Sequence, residues 1–123
     1  MNKKILIAED EIALRFLLSE TLVDEGYEVE ETADGQEAIE RLQEEIYDLV
    51  ILDYMMPEKT GVEVCSWLRK TDNPNQQTPV ILLTAKAQEK DRQNALDSGV
   101  NAYVTKPFSP LKFLQVIEEV LEK

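Results

Sequence analysis

Residues 49–57 of the chain read LVILDYMMP, in which four consecutive apolar residues end at an acid, Asp53. A continuous apolar run is typical of a strand buried on both faces of a parallel sheet, and 48–52 is therefore predicted to be such a strand. Similar runs at 4–8, 79–84 and 102–105 predict further strands. A weaker segment, 27–32, alternates acids with apolar residues, so we expect this second strand at or near an edge of the sheet.

Segments of helical period lie between these strands. Gly26 is placed to end the first helix, Asp34 to cap the second, and Ser109 to cap the fifth. Five strands alternating with five helices predict an α/β fold, a (βα)5 three-layer sandwich that forms a single domain over residues 1–123. Apolar residues recur at steps of three and four over 11–25, 35–45, 61–70, 88–98 and 109–121.

Composition limits the chemistry of this chain. The net charge of -12 would repel phosphate backbones, so we expect no nucleic acid binding by this domain alone. There is no histidine to act as a general base or zinc ligand. The one cysteine, Cys65, cannot form an intramolecular disulfide, and we expect it to pack in the core. No apolar run approaches the roughly 20 residues that cross a bilayer, and the N-terminus lacks the apolar core of a signal peptide. We therefore expect a cytoplasmic protein with no membrane partner.

Polar side chains follow four of the five predicted strands. Parallel strands present their carboxyl ends at one edge of a sheet, where ligands of open α/β folds bind. The weak second strand delivers nothing comparable, which fits a strand order of 2-1-3-4-5 with the first and third strands adjacent. The side chains delivered to this edge are Glu9 and Asp10 after the first strand, Asp53 after the third, Thr84 at the end of the fourth and Lys106 after the fifth.

In that order Asp10 and Asp53 face each other across neighbouring strands. Carboxylates so close repel unless a proton or a cation lies between them, and a few carboxylates with water are typical Mg²⁺ ligands. On the other side of Asp53, the hydroxyl of Thr84 and the ammonium of Lys106 are suited to bind the oxygens of an attached phosphoryl group. Since carboxylates can act as nucleophiles that form aspartyl phosphates, the pattern predicts an acyl phosphate on Asp53.

The same residues resemble the receiver domain of bacterial two-component response regulators, of the single-domain chemotaxis or phosphorelay type. The resemblance covers the whole chain and implies a flavodoxin-like fold, with Asp53 as the phosphoacceptor. It also implies that the donor is a phosphohistidine on a sensor kinase or histidine phosphotransfer protein. The fragments that carry it, in order, are ILIAEDE (5–11), DLVILDYMMPEKTG (48–61), PVILLTA (79–85) and YVTKPF (103–108).

By this resemblance the Mg²⁺ ligands are Glu9, Asp10, Asp53 and the backbone carbonyl of Met55. Glu9 stands where aspartate is more usual, so its longer arm would reach the ion through water or contact Lys106. The resemblance also implies that Lys106 precedes a cis proline and, with Thr84, contacts the phosphoryl group.

The resemblance further implies a switch. Thr84 would move toward the phosphate and Tyr103 would turn inward, which would change the surface around the fourth helix, fifth strand and fifth helix. The expected output is contact with a downstream protein target or an effector domain. Such a domain is not an enzyme with a diffusible substrate, but it assists its own phosphorylation and slow dephosphorylation.

Three alternatives are compatible with parts of the pattern. A flavodoxin-like electron carrier shares the topology but needs a hydroxyl- and glycine-rich loop after the first strand, where this chain has three acids, 9–11. A small Mg²⁺-dependent phosphatase generally has a second acid two residues after its nucleophile, where this chain has Met55. A receiver-shaped binding module that is never phosphorylated would not need the intact set of acids, Thr84 and Lys106.

Overall fold

We describe a computed structural model of the chain over residues 2–85, 93 and 95–122. Of the predicted helix at 88–98, residues 93 and 95–97 are helical, residue 98 lies in a turn, and the remaining positions fall outside the described residues. Among the described residues the strands are β1 (Lys4–Ala8), β2 (Glu28–Thr32), β3 (Leu49–Asp53), β4 (Val80–Thr84) and β5 (Ala102–Thr105). The helices are α1 (Ile12–Asp24), α2 (Gly35–Glu44), α3 (Gly61–Lys70) and a C-terminal helix (Pro110–Leu121).

The five strands form one parallel sheet in the order β2-β1-β3-β4-β5, which confirms the predicted order and places β2 at an edge. Ala8 at the end of β1 pairs with Leu52, so the next residues, Glu9 and Asp53, emerge side by side. Asp53 is itself the last residue of β3 and pairs with Leu83 of β4. The register of the central strands therefore brings the predicted acids to one point.

Helices cover both faces of the sheet. On one face α2 and α3 pack against alternate strand residues such as Leu6 and Leu52, and Cys65 is buried in this layer, as expected. On the other face α1 and the C-terminal helix pack against residues such as Ile7 and Ile51. Burying each such side chain stabilises the fold by about 1.5–3 kcal/mol. Because β3 is buried at every position, packing on two faces fixes where its final acid lies.

The helices differ in how their first turns are held. Asp34 and Ser109 accept hydrogen bonds from backbone N–H groups of their helices, as predicted, and Thr60 forms a full capping box at the start of α3. At α1 the N-cap residue, Glu11, makes no such side-chain bond. Instead the Glu9 carboxylate accepts a bond of 3.1 Å from the Glu11 N–H. The start of α1 is thus tied to an acid of the candidate site.

None of the described helices combines the length and apolar character that a membrane span requires.

Candidate functional site

Three carboxylates meet at the carboxyl edge of the sheet. One carboxylate oxygen from each of Glu9, Asp10 and Asp53 lies within 4.8 Å of the others. Glu9 and Asp53 are 1% and 5% exposed, whereas Asp10 is open to solvent. The structure therefore brings together the acids that follow β1 with the acid that ends β3, because those strands are neighbours.

Lys106 joins this cluster from the other side. Its Nζ lies 2.7 Å from Asp53 Oδ1 and 3.5 Å from Glu9 Oε1. Its backbone N–H donates to the Thr84 carbonyl at 2.7 Å, and its bond to Pro107 is cis, in agreement with the resemblance. Lys106 therefore faces both buried acids, and the longer arm of Glu9 does reach the lysine.

The electrostatics of this edge favour a cation. Burial, together with the nearby Asp53 charge, raises the pKa of Glu9 to about 7, against the opposing effects of the Glu11 N–H and Lys106. Burial also raises the pKa of Asp53, although Lys106 opposes this. Burial works to lower the pKa of Lys106, but its contacts with Asp53 and Glu9 outweigh that effect and raise it. Three carboxylates against one ammonium leave excess negative charge.

The donor set therefore fits Mg²⁺, which prefers oxygen ligands from one or two carboxylates together with water. A side of the cluster that is open to solvent suits Mg²⁺, because this ion usually keeps several of its water ligands. The exposed Asp10 lies on that side, and the loop after β3, which carries Met55, follows directly from Asp53.

The other predicted residues are Thr84 on β4, Tyr103 on β5 and Met55 in the loop after β3. Thr84, 6% exposed, ends β4 directly after Leu83, the strand partner of Asp53. Tyr103 on β5 is partly buried and packs against the core layer under α2 and α3. The Met55 side chain is 64% exposed.

Two residues that contact the site were not among its predicted members. Gly61, the first residue of α3, lies against β3 so closely that a Cβ there would be 2.4 Å from the Asp53 carbonyl oxygen. Its N–H donates to the Tyr54 carbonyl at 2.9 Å. Arg15 of α1 donates from Nη1 to the Glu9 carbonyl at 2.8 Å. Both contacts are to backbone atoms, which side-chain patterning does not reveal.

Comparisons with known proteins agree with this geometry. The chain is 39% identical over 123 residues to the transcriptional regulatory protein SrrA of Staphylococcus aureus, and it spans about half (49%) of that relative's length. Chemotaxis response regulator CheY4 of Vibrio cholerae superposes with a TM-score of 0.92 at 34% identity, covering 98% of this chain and 99% of that one.

The receiver domain of sensor histidine kinase PA1611 from Pseudomonas aeruginosa, solved with a magnesium ion coordinated in its active site cleft, gives a TM-score of 0.90 at 28% identity and full coverage of both chains. The family model of the response regulator receiver domain matches residues 5–118. This chain belongs to the response regulator receiver domain family of two-component signalling.

Proposed function

We propose that Asp53 accepts a phosphoryl group with the help of Mg²⁺ held by Glu9, Asp10, Asp53 and the Met55 carbonyl. The observation that carries this proposal is the convergence of three carboxylates within 4.8 Å around an acid that Lys106 also contacts at 2.7 Å. A surface acid without a role would not need two further acids and a lysine gathered around it from separate strands.

The chain's own residues perform the transfer by position and charge. An Asp53 carboxylate oxygen bonds to phosphorus while the bond from phosphorus to the donor nitrogen breaks, and the departing imidazole takes up a proton. Lys106 offers an ammonium to the phosphoryl oxygens, and Thr84 offers a hydroxyl from the adjacent strand end. Mg²⁺, when bound, supplies positive charge to the same oxygens.

The proposed donor is a phosphohistidine on a sensor kinase or histidine phosphotransfer protein. The chain contains no histidine of its own. Helix α1 exposes apolar side chains, with Phe16 63% and Leu17 48% exposed. Leu17 and Lys106 line one cleft together with Phe108, so apolar surface continues up to the acidic edge. Exposed apolar surface of this kind is typical of a protein contact.

The proposed output is a change of surface around Tyr103. Thr84, drawn toward the phosphoryl group, would leave space that Tyr103 fills from β5. The affected surface would include the predicted helix at 88–98, β5 and the C-terminal helix, and a downstream protein or effector domain would recognise it. We further propose that this activity takes place in the cytoplasm. A single domain over residues 1–123 is supported by the described strands, which all belong to one sheet.

Incubation with acetyl phosphate and Mg²⁺, followed by intact-mass detection, tests the proposal on the wild type and on Asp53→Asn. We expect one phosphoryl group per wild-type chain, none on Asp53→Asn, and none for either protein in EDTA. Hydrolysis of many equivalents would instead favour a phosphatase. An unmodified wild type, under conditions that phosphorylate a control receiver, would contradict the assignment.

The donor is tested by comparing two phosphoryl sources on Phe16→Ser. A panel of phosphorylated sensor kinases is expected to transfer at least about tenfold more slowly to this variant. Truncating a hot-spot aromatic at an interface costs about 2 kcal/mol or more, and a factor of ten needs only about 1.4 kcal/mol. Acetyl phosphate, which needs no docking surface, should react at the wild-type rate. Equal slowing with both sources would point to a folding defect rather than a docking surface.

A further inference from the structure

The side chain of Arg15 turns back toward the start of its own helix. Long helical side chains point toward the helix N-terminus, which here means the loop between β1 and α1. Nη1 donates to the Glu9 carbonyl at 2.8 Å, and Nε lies 3.4 Å from Glu31 Oε1 at the end of β2. With its side chain 19% exposed, the guanidinium joins α1, the loop and the edge strand.

The loop that Arg15 holds carries an acid with little support of its own. No hydrogen bond or ion pair to another described residue fixes the exposed Asp10 side chain. Glu9, by contrast, is held at its N–H by the Thr32 carbonyl at 3.1 Å and at its carboxylate by the Glu11 N–H and Lys106. The orientation of Asp10 therefore depends on the backbone that precedes it.

Arg15 binds the oxygen of the peptide group that joins Glu9 to Asp10. Rotation of that peptide would swing Asp10 relative to Asp53, and mutual repulsion of the carboxylates favours such a rotation. A hydrogen bond from a charged guanidinium is among the stronger restraints available to a carbonyl oxygen. The contact is to the backbone, so Arg15 acts on the shape of the loop rather than on a carboxylate directly.

We propose that Arg15 is a positioning residue that holds the β1–α1 loop in the shape with which Asp10 binds Mg²⁺. This inference rests on the proposed function, since it assigns a role toward the same metal. Partners that orient the ligands of a metal typically contribute 10- to 100-fold to its affinity. We expect the lower end of that range, because Arg15 acts on the loop and does not touch a ligand oxygen.

The test uses Arg15→Met, which keeps an unbranched apolar stem and removes the hydrogen-bond donors. Arg41→Met is the matched control, since Arg41 lies on α2, pairs with Glu30 and Glu44, and is 45% exposed. Mg²⁺ is titrated into each protein and followed by calorimetry. Thermal unfolding in EDTA and phosphorylation by acetyl phosphate over a range of Mg²⁺ concentrations complete the comparison.

We expect the Mg²⁺ dissociation constant to rise about tenfold in Arg15→Met and to stay within about twofold in Arg41→Met. Phosphorylation of Arg15→Met should slow by the same factor at low Mg²⁺ and recover at saturating Mg²⁺. A merely structural role would lower the melting temperature in EDTA and leave the dissociation constant unchanged, which would overturn the inference.

Two further proteins separate the possible failures. If the wild type binds Mg²⁺, Asp10→Asn does not, and Arg15→Met binds as tightly as the wild type, the inference is wrong and the proposed function stands. If the wild type itself does not bind Mg²⁺, both are overturned. Should Arg15→Met not fold, Arg15→Lys decides instead, because lysine lacks the planar fork of donors with which Arg15 reaches Glu9 from Nη1 and Glu31 from Nε. We expect its affinity to fall at least about threefold, and wild-type affinity would overturn the inference.

Discussion

Replacing Gly61 with alanine should damage the site through the backbone of β3. An added Cβ would lie 2.4 Å from the Asp53 carbonyl oxygen and 2.7 Å from Leu82 Cδ1. Ordinary contacts of a Cβ begin at 3.4 Å, so the shortfall toward Asp53 is about 1 Å. Leu82 can turn away, but the carbonyl oxygen belongs to a strand that is packed on both faces. Either α3 or the end of β3 must therefore shift.

The cost follows from two opposing effects. Overpacking a close-packed interior costs about 1–3 kcal/mol. Alanine returns about 0.5–1 kcal/mol relative to glycine inside a helix. We expect the free energy of unfolding of Gly61→Ala to fall by about 1–2 kcal/mol. The larger effect is on chemistry, because misplacing a reacting group by about 1 Å can slow a reaction about 100-fold.

Gly26→Ala serves as the matched control. Gly26 has a φ of 93° and nothing within 4 Å of an added Cβ, and it follows α1 at the opposite end of the sheet from Asp53. Its left-handed backbone alone makes alanine cost about 1–2 kcal/mol. Urea unfolding should therefore show similar decreases in the free energy of unfolding for Gly61→Ala and Gly26→Ala. Phosphorylation by acetyl phosphate and Mg²⁺, followed by intact mass, should be 10- to 100-fold slower in Gly61→Ala and unchanged in Gly26→Ala.

If Gly61→Ala is phosphorylated at the rate of Gly26→Ala, α3 yields without moving Asp53, and the reasoning from the close approach is refuted. A Gly61→Ala variant as stable as the wild type would refute the steric argument itself.

Three further predictions concern single side chains of the site. In EDTA the free energy of unfolding of the wild type should fall as pH rises from about 4.5 to about 7. The reason is that burial raises the pKa of Glu9 from 4.5 to about 7. Between these pH values the folded chain keeps a proton that the unfolded chain has lost. Urea unfolding of Glu9→Gln should show a flatter profile, and an unchanged slope would assign the effect to another group. Lys106→Met should slow phosphorylation by acetyl phosphate about 100-fold, because the substitution removes a preorganised positive charge. In calorimetry this variant should bind Mg²⁺ at least as tightly as the wild type, because a competing cation is gone. A phosphorylation rate within threefold of wild type would contradict this. Met55→Asn should release the phosphoryl group of Asp53 several-fold faster if the apolar Met55 side chain hinders attacking water, and an unchanged or slower loss of mass would count against that role.

The strands were predictable because each is a short apolar run whose burial on both faces leaves a plain pattern. The predicted and observed strands differ only at their first and last residues. The predicted strand at 48–52 is Leu49–Asp53, so Asp53 belongs to the sheet and is buried rather than lying in a loop. The predicted strand at 79–84 begins at Val80. Strand ends depend on hydrogen bonds to neighbouring strands, which apolar patterning does not encode.

The sequence by itself determined the chemistry offered at one edge of the sheet. A parallel sheet delivers whatever follows its strands to that edge, so Asp10, Asp53 and Lys106 could be grouped from their places after apolar runs. The edge position of β2 could also be predicted from the sequence, because a strand with alternating acids cannot be buried on both faces.

Only the tertiary structure decided which atoms touch. Lys106 meets Glu9 across 97 residues, Gly61 lies against the Asp53 carbonyl, and Arg15 holds the carbonyl of Glu9. Two of these contacts end on backbone oxygens, which every residue possesses and which therefore leave no mark in the sequence. Their positions follow from how closely each helix packs on the sheet, a property of the whole core rather than of any one segment.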